Sequence, residues 1–142
     1  MVKSYTDLEQ SKKLAKFLPI ESADMCFNTH NNMPPLMTPY SRFKEFFDME
    51  PTPAFLIPCW SLAALLDVLP DEISTGEGYQ NKYEIDIHRY YGGNNITLYQ
   101  IAYGNNKGSS GSWHDMISTS EQEKFVDVCY EMILKLHKLN LL

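Results

Sequence analysis

The stretch that decides the fold reads YEIDIHRYYGGNNITLYQIAY and spans residues 83–103. Apolar and polar side chains alternate from residue 83, which is the pattern of a half-buried strand over 83–91. Residues 92–95 predict a turn, because glycine and asparagine tolerate positive φ angles. Residues 96–103 are rich in β-branched and aromatic side chains, which favour a second strand. The sequence therefore predicts an antiparallel hairpin.

The residues after this hairpin predict a loop, a third strand and a long helix. Glycine, asparagine and serine dominate residues 104–112, which are typical of a loop, and residues 113–117 follow as an antiparallel strand. Apolar residues then recur at helical spacing. The expected inward stripe contains Phe125, Val128, Cys129, Met132, Ile133, Leu136 and Leu139. The candidate caps of this helix are Ser118, Thr119 and Ser120, each with Glu or Gln three residues later.

The first 35 residues predict a helix, a short strand and a loop. We expect the helix over residues 6–18, with Thr6 and Glu9 forming a capping box and Pro19 ending it. Residues 23–28 are compatible with a short strand. Residues 30–35 contain two prolines and two asparagines, so we expect a loop there.

Two more helices are predicted before the hairpin. The first begins at Thr38-Pro39, with threonine as cap and proline in the first helical position, and places Phe43, Phe46 and Phe47 on one face. The second spans residues 58–69. It is apolar nearly all round, so we expect a central core helix that is buried on most sides. Its main stripe contains Leu62, Leu65, Leu66 and Leu69.

These elements predict one α+β domain over residues 1–142. The expected architecture is an antiparallel β-meander of about three strands, packed on one face by three main helices, with a long helix at the C-terminus. A chain of 142 residues is close to the usual length of a single domain.

Composition restricts the classes of partner. The net charge is −6 and the pI is about 5.1, which argues against binding nucleic-acid phosphates. No run of about 18 apolar residues occurs, so we expect no membrane span. The three cysteines form no Cys-x-x-Cys motif, and the first residues lack the apolar core of a signal peptide. We therefore expect a cytoplasmic protein with free thiols.

Three segments carry a resemblance to a known group of proteins. They are residues 58–70, which include Trp-Ser-Leu-Ala-Ala-Leu-Leu, residues 18–25 and residues 130–136. Together they resemble an uncharacterised family of short proteins from gut bacteria and their phages or mobile elements. The resemblance implies a cytoplasmic protein from a mobile-element context. The family has no established activity, so it assigns no functional residue to this chain.

Two surface constellations are candidates for function. The first is a polar row on one strand, Glu84, Asp86 and His88, whose side chains share a face because strand residues alternate. The second is a group of aromatic residues on or beside the meander: Tyr90, Tyr91, Tyr99, Tyr103 and Trp113. Tyrosine and tryptophan are the residues that dominate interface energetics.

The leading hypothesis is a non-enzymatic module that binds an unknown protein partner, or itself, through the sheet. The alternative is a small ligand-binding domain or enzyme with a pocket near His30, Cys59, His88 and His114. These residues, with Cys26, are also the candidate metal ligands, but their spacing lacks the close pairs that zinc sites use. We therefore predict no metal, no cofactor and no catalytic residue.

Overall fold

The structure is a computed structural model that describes residues 2–37, 53–106 and 111–142. The chain divides into two compact units, Lys3–Val68 and Leu69–Leu142. The sequence predicted a single domain over residues 1–142.

In the first unit, the described residues form a three-stranded antiparallel sheet and two α-helices. Its elements are α1 (Leu8–Leu14), β1 (Met25–Asn28), β2 (Leu36–Met37), β3 (Leu56–Cys59) and α2 (Leu62–Val68). The strand order is β2-β1-β3. The short strand predicted over residues 23–28 is confirmed as β1. The sheet itself was not predicted, because β2 and β3 are too short and too rich in proline neighbours to show alternation.

Helix α1 is shorter than predicted, and its cap is Asp7, one residue later than the proposed Thr6. The Gln10 backbone N–H donates to Asp7 Oδ1 at 2.8 Å, and the Asp7 backbone N–H donates to Gln10 Oε1 at 3.1 Å. This reciprocal pair is a capping box built on Asp7. The prediction of a box on Thr6 and Glu9 was wrong, because the buried Thr6 hydroxyl lies 2.7 Å from the Ser11 hydroxyl instead.

Helix α2 begins four residues later than the predicted range 58–69. Pro58 and Cys59 belong to β3, where Pro58 lies opposite Cys26. Ser61 then accepts a hydrogen bond from the Ala64 backbone N–H at 3.2 Å and caps the helix. Asp24 holds this cap, since its carboxylate accepts hydrogen bonds from both the backbone and the hydroxyl of Ser61.

The burial of α2 is also less complete than predicted. Ala64 and Leu65 are buried, whereas Ala63 and Asp67 are exposed. Apolar composition alone therefore overestimated how much of this short helix is covered. The helix predicted from Thr38-Pro39, with Phe43, Phe46 and Phe47, lies outside the described residues.

In the second unit, residues 69–106 and 111–142 form a four-stranded antiparallel meander and one long helix. Its elements are β4 (Glu72–Ser74), β5 (Lys82–Gly92), β6 (Ile96–Asn105), β7 (His114–Ser118) and α3 (Phe125–Lys138). The strand order follows the chain, β4-β5-β6-β7. The α+β class, the meander and the long C-terminal helix are confirmed. The meander has four strands where about three were predicted, and the described residues also form the separate sheet of the first unit.

The predicted hairpin is confirmed over β5 and β6. Gly92 lies opposite Ile96, so residues 93–95 form the connection. Asn94 and Asn95 have φ angles of 64° and 62°, the left-handed region that asparagine tolerates. Strand β6 extends to Asn105, so the predicted loop over 104–112 starts too early; residues 107–110 of it lie outside the described residues.

One face of β6 packs against α3. Ile101 and Tyr103 are fully buried there, and the Tyr99 ring stacks on Phe125 with centroids 4.9 Å apart. The predicted stripe of α3 is largely buried, but Leu139 at its end is 52% exposed. Val126, which the stripe omitted, is fully buried.

None of the three predicted hydroxyl caps starts α3. Its N-cap is Lys124, which makes no side-chain cap. Ser118 lies in β7, and the Thr119 hydroxyl accepts a hydrogen bond from the Ile101 backbone N–H at 3.0 Å. Ser120 donates to the Glu131 carboxylate from both its backbone N–H and its hydroxyl, at 3.0 and 2.8 Å. Glu131 lies in the middle of α3, so these hydrogen bonds join the helix to the turn that precedes it.

Candidate binding cleft

Two carboxylates form the floor of a cleft on the meander. Glu72 of β4 lies directly opposite Glu84 of β5, and directly paired residues of an antiparallel ladder point to the same face. Lys82 approaches Glu72 at 3.7 Å, with both side chains about half exposed. Glu84 forms no ion pair within the described part of the chain. Like charges placed opposite each other oppose sheet pairing, and the contact of Lys82 with Glu72 offsets part of this repulsion.

A tryptophan forms one wall of the cleft. Gly104 of β6 lies opposite Glu84, and a Cβ atom on Gly104 would come within 2.6 Å of Trp113 Nε1 and 2.7 Å of Trp113 Cε2. The indole ring therefore occupies the space above Gly104. Trp113 Nε1 donates to Asp115 Oδ1 at 2.7 Å, which fixes the ring, while 40% of the residue stays exposed.

A β-bulge brings Trp113 and Asp115 to this position. The register between β6 and β7 shifts between Tyr103 and Gly104, so that Ile117 pairs with Tyr103 but Asp115 pairs with Gly104. A bulge inserts one extra residue and re-aims the side chains that follow. Here it places Asp115 on the same face as Glu84.

A tyrosine forms the other wall. Tyr79 begins a one-turn 3₁₀ helix, Tyr79–Asn81, and is 70% exposed. Asn105 Nδ2 donates to the backbone carbonyls of Gln80 and Lys82 at 3.2 and 3.1 Å. This amide ties the end of β6 to the turn that carries Tyr79.

These walls enclose a cavity of about 150 Å³, which we call the 79–113 cleft. It is lined by Glu72, Tyr79, Lys82, Glu84, Asn105, Asn106 and Trp113. A cleft that combines exposed aromatic rings, amides and carboxylates offers both stacking and hydrogen-bond acceptors.

The polar row predicted on β5 is adjacent to this cleft. His88 Nε2 lies 2.9 Å from Asp86 Oδ2, and Glu84 is the next residue of the row. The three side chains share a face of the sheet, as alternation predicted. Only Glu84 lines the cleft itself.

The predicted aromatic group is divided between the surface and the core. Tyr91 is 79% exposed, and Trp113 lines the cleft. Tyr103 is fully buried, and its hydroxyl donates to the Pro70 carbonyl at 2.6 Å. Burial raises the pKa of Tyr103, so it stays protonated. Tyr103 and the stacked Tyr99 therefore stabilise the core of the second unit.

Tyr90 has a distinct environment. Its hydroxyl oxygen is buried without a hydrogen bond of good geometry among the described residues. The carboxylate of Glu121, which favours the protonated phenol as a hydrogen-bond donor, raises the pKa of Tyr90 to about 12. The hydroxyl is therefore neutral at physiological pH.

The residues of the predicted alternative pocket do not line either cavity described for this chain. In the first unit, exposed His30 stacks on Phe55 with ring centroids 4.2 Å apart, whereas Cys59 is fully buried near Thr6. In the second unit, His88 pairs with Asp86 and His114 lies opposite Asn105. Within the described residues, no group of three His, Cys, Asp or Glu side chains is arranged to hold a metal ion.

The three cysteines are free thiols with little tendency to ionise. Burial raises the pKa of Cys26 to about 11 and that of Cys129 to about 12, and it also raises the pKa of Cys59. A nucleophilic cysteine needs a lowered pKa. The environment of these thiols is therefore that of structural cysteines.

The first unit has a second cavity, of about 290 Å³. It is lined by Leu8, Phe27, Asn28, Thr29, Asn32 and Met33. None of these lining residues carries a charge, so the part of the cavity that they form offers shape without electrostatic selectivity.

Sequence analysis did not identify five of the lining residues: Glu72, Tyr79, Lys82, Asn105 and Asn106. Strand β4 has only three residues, which is too short for alternation to reveal. The available signal was the Glu-Ile-Ser alternation of residues 72–74, which places Glu72 outward once Ile73 is buried.

Comparison with protein-family models, with curated proteins and with solved structures finds no match. None of the helices in the described ranges has both the length and the apolar character needed to cross a bilayer.

Proposed function

We propose that this chain is a non-enzymatic interaction module that binds a positively charged segment of another protein through the 79–113 cleft. The observation that carries this proposal is the paired carboxylates, Glu72 and Glu84, between the exposed rings of Tyr79 and Trp113. Aromatic residues supply contact area at low entropic cost, and carboxylates select cationic groups.

Electrostatics favours a cationic partner. Glu84 and Glu72 repel each other across the strand pair, and the Lys82 contact at 3.7 Å is long and half exposed. Asp86 and Asp115 add negative charge to the same face of the sheet. A cation from a partner would offset this repulsion, and the net charge of −6 would accelerate its approach.

The alternative function, a ligand-binding domain or enzyme using His30, Cys59, His88 and His114, receives less support. Among the described residues, none of these four lines the 79–113 cleft or the cavity beside Leu8 and Met33, and burial raises the pKa of the Cys59 thiol. We therefore favour the interaction module.

The cellular setting is part of the same proposal. A cytoplasmic location is supported by the three free thiols, which suit a reducing compartment. An accessory role in a phage or mobile element is supported by the family resemblance of residues 18–25, 58–70 and 130–136 alone.

The test is a fluorescence-anisotropy titration of the full chain with labelled peptides of matched length. One peptide repeats Gly-Ser-Arg-Lys and the other repeats Gly-Ser-Glu-Asp. We expect saturable binding of the basic peptide only, and Glu84→Gln should weaken it about fivefold or more. Glu21→Gln is the matched control, because it removes the same charge from an exposed position of the first unit. Absence of binding, or equal weakening by both variants, would contradict the proposal.

A further inference from the structure

The 79–113 cleft is small enough to select a single side chain. Its volume is about 150 Å³, below the few hundred Å³ of typical small-molecule sites. A partner must therefore insert one group while its backbone stays outside. The identity of that group follows from the shape and charge of the lining.

The Trp113 indole presents a fixed aromatic surface. Its Nε1 is held by Asp115 Oδ1 at 2.7 Å, and the absence of a side chain at Gly104 lets the ring lie over the strand. A ring that is already ordered loses little entropy when a ligand stacks on it. Flat cations gain most from such a surface, because they stack on aromatic rings as well as attracting them electrostatically.

The acceptor beside this ring is Glu84. It lies across from Gly104, over which the indole sits, and it makes no ion pair among the described residues. The ammonium of Lys82 is on the Glu72 side, at 3.7 Å. An incoming cation therefore meets the carboxylate of Glu84 without displacing an ion-pair partner from the described part of the chain.

We propose that the group bound in the 79–113 cleft is an arginine side chain, with its guanidinium stacked on Trp113 and hydrogen bonded to Glu84. This inference rests on the proposed function and adds the chemical identity of the bound group. A guanidinium donates two parallel N–H groups to one carboxylate while its plane remains available for stacking. A lysine ammonium is a compact, strongly hydrated charge and gains less from the indole plane.

The chain offers an internal control for observing this site. Its two tryptophans are Trp113 in the cleft and Trp60, which is fully buried with its Nε1 donating to Ser22 Oγ at 2.9 Å. The two indole N–H signals of the ¹⁵N-labelled full chain therefore report the cleft and the core of the first unit separately.

The test titrates this labelled chain with N-acetyl-arginine amide, N-acetyl-lysine amide and N-acetyl-citrulline amide. We expect the Trp113 signal to shift and saturate with the arginine probe while the Trp60 signal stays in place. The arginine probe should bind about fivefold more tightly than the lysine probe. Citrulline, which is planar but uncharged, should not saturate.

Variants identify the two contacts. Trp113→Ala, followed by isothermal calorimetry, should reduce the preference for arginine over lysine to about onefold, since the stacking surface is lost. Glu84→Gln should weaken both cationic probes, and Tyr91→Ala, an exposed aromatic outside the cleft, should leave both unchanged. Trp60 reports only the first unit, so the far-ultraviolet circular dichroism and thermal unfolding of each variant check that the second unit keeps its fold.

The outcomes separate this inference from the proposed function. Equal affinity for the arginine and lysine probes, with both lost in Glu84→Gln, overturns the arginine assignment and leaves the cationic module intact. A preference for arginine that survives Trp113→Ala also overturns the assignment. Failure of both cationic probes and of the basic peptide overturns the module together with it.

Discussion

Gly104 matters to the cleft because a side chain at this position would occupy the space of the Trp113 indole. The nearest backbone atom to a Cβ built there is the His114 carbonyl oxygen, at 2.5 Å. Backbone cannot move away as a flexible side chain can. The lack of a side chain at Gly104 therefore allows both the close packing of β7 and the position of the Trp113 ring.

We predict that Gly104→Ala destabilises the protein by about 1–3 kcal/mol, because the added methyl group must displace β7 or the indole. It should also lower the affinity of the protein for the basic peptide, since the added methyl group displaces the Trp113 ring from the cleft. Urea unfolding followed by circular dichroism measures the first effect. The control is Gly93→Ala, where an added Cβ meets no atom within 4 Å. Equal stability of the two variants would contradict the packing argument.

At the scale of elements, helix α3 stabilises the turn that precedes it. Glu131, in the interior of the helix, accepts hydrogen bonds from the backbone and hydroxyl of Ser120 and, at 2.6 Å, from Gln122 Nε2. Lys135 pairs with Glu131 at 3.2 Å and donates to the Ser118 carbonyl at 2.6 Å. Partial burial acts to raise the pKa of Glu131, but the donors of Ser120 and Lys135 outweigh it and lower the pKa.

We predict that Glu131→Gln destabilises the protein at pH 7 by on the order of 1 kcal/mol, after allowance for solvent screening. The folded-state pKa of Glu131 lies below its ordinary value of 4.5, so its ionised form stabilises the fold above that value. This contribution is lost as pH falls through the lowered pKa. Denaturant unfolding at a series of pH values should show the difference between wild type and variant shrinking below about pH 4.5. A difference that grows on acidification would refute the assignment.

The same elements show what sequence patterns reveal. The hairpin and α3 were predicted because each is long enough for its period to be visible, 11 and 10 residues for the strands and 14 for the helix. Strands β2 and β4 have two and three residues, so pairing partners far along the chain define them. The predicted caps were wrong for a related reason: the hydroxyls of Thr6, Thr119 and Ser120 hydrogen bond to Trp60, Ile101 and Glu131, which are too far along the chain to belong to a local capping motif.

The candidate site was only partly accessible from sequence. Glu84 and Trp113 were identified separately, one in the polar row and one in the aromatic group. Their proximity depends on Gly104 and on the β7 bulge, which changes the register by one residue. Tyr103, by contrast, has the sequence character of an interface residue but is fully buried. Composition and spacing do not distinguish these two aromatic environments.

At the scale of the whole molecule, net charge acts on stability and on binding in opposite directions. The net charge of −6 means that negative side chains repel one another in the folded chain, which lowers its stability. The same charge attracts a cationic segment of a partner. Salt screens both effects, because the Debye length falls from about 14 Å near 0.05 M to about 4 Å near 0.5 M.

We therefore predict that raising NaCl from about 0.05 M to about 0.5 M weakens binding of the basic peptide several-fold while the midpoint of thermal unfolding stays constant or rises. Anisotropy and differential scanning calorimetry on the same sample measure the two quantities. Sodium sulfate at equal ionic strength controls for effects specific to chloride. Tighter binding at high salt would show that the recognised surface is apolar rather than acidic.

The tip of the β5–β6 hairpin has a practical use. Gly93 is in open space, and Gly92–Ile96 is eight paired residues away from Glu84, about 27 Å along the strand. The native thiols have raised pKa values and will react slowly at neutral pH. A maleimide dye or a biosensor surface can therefore be attached through Gly93→Cys, and the tethered molecule will present its cleft to the solution unobstructed.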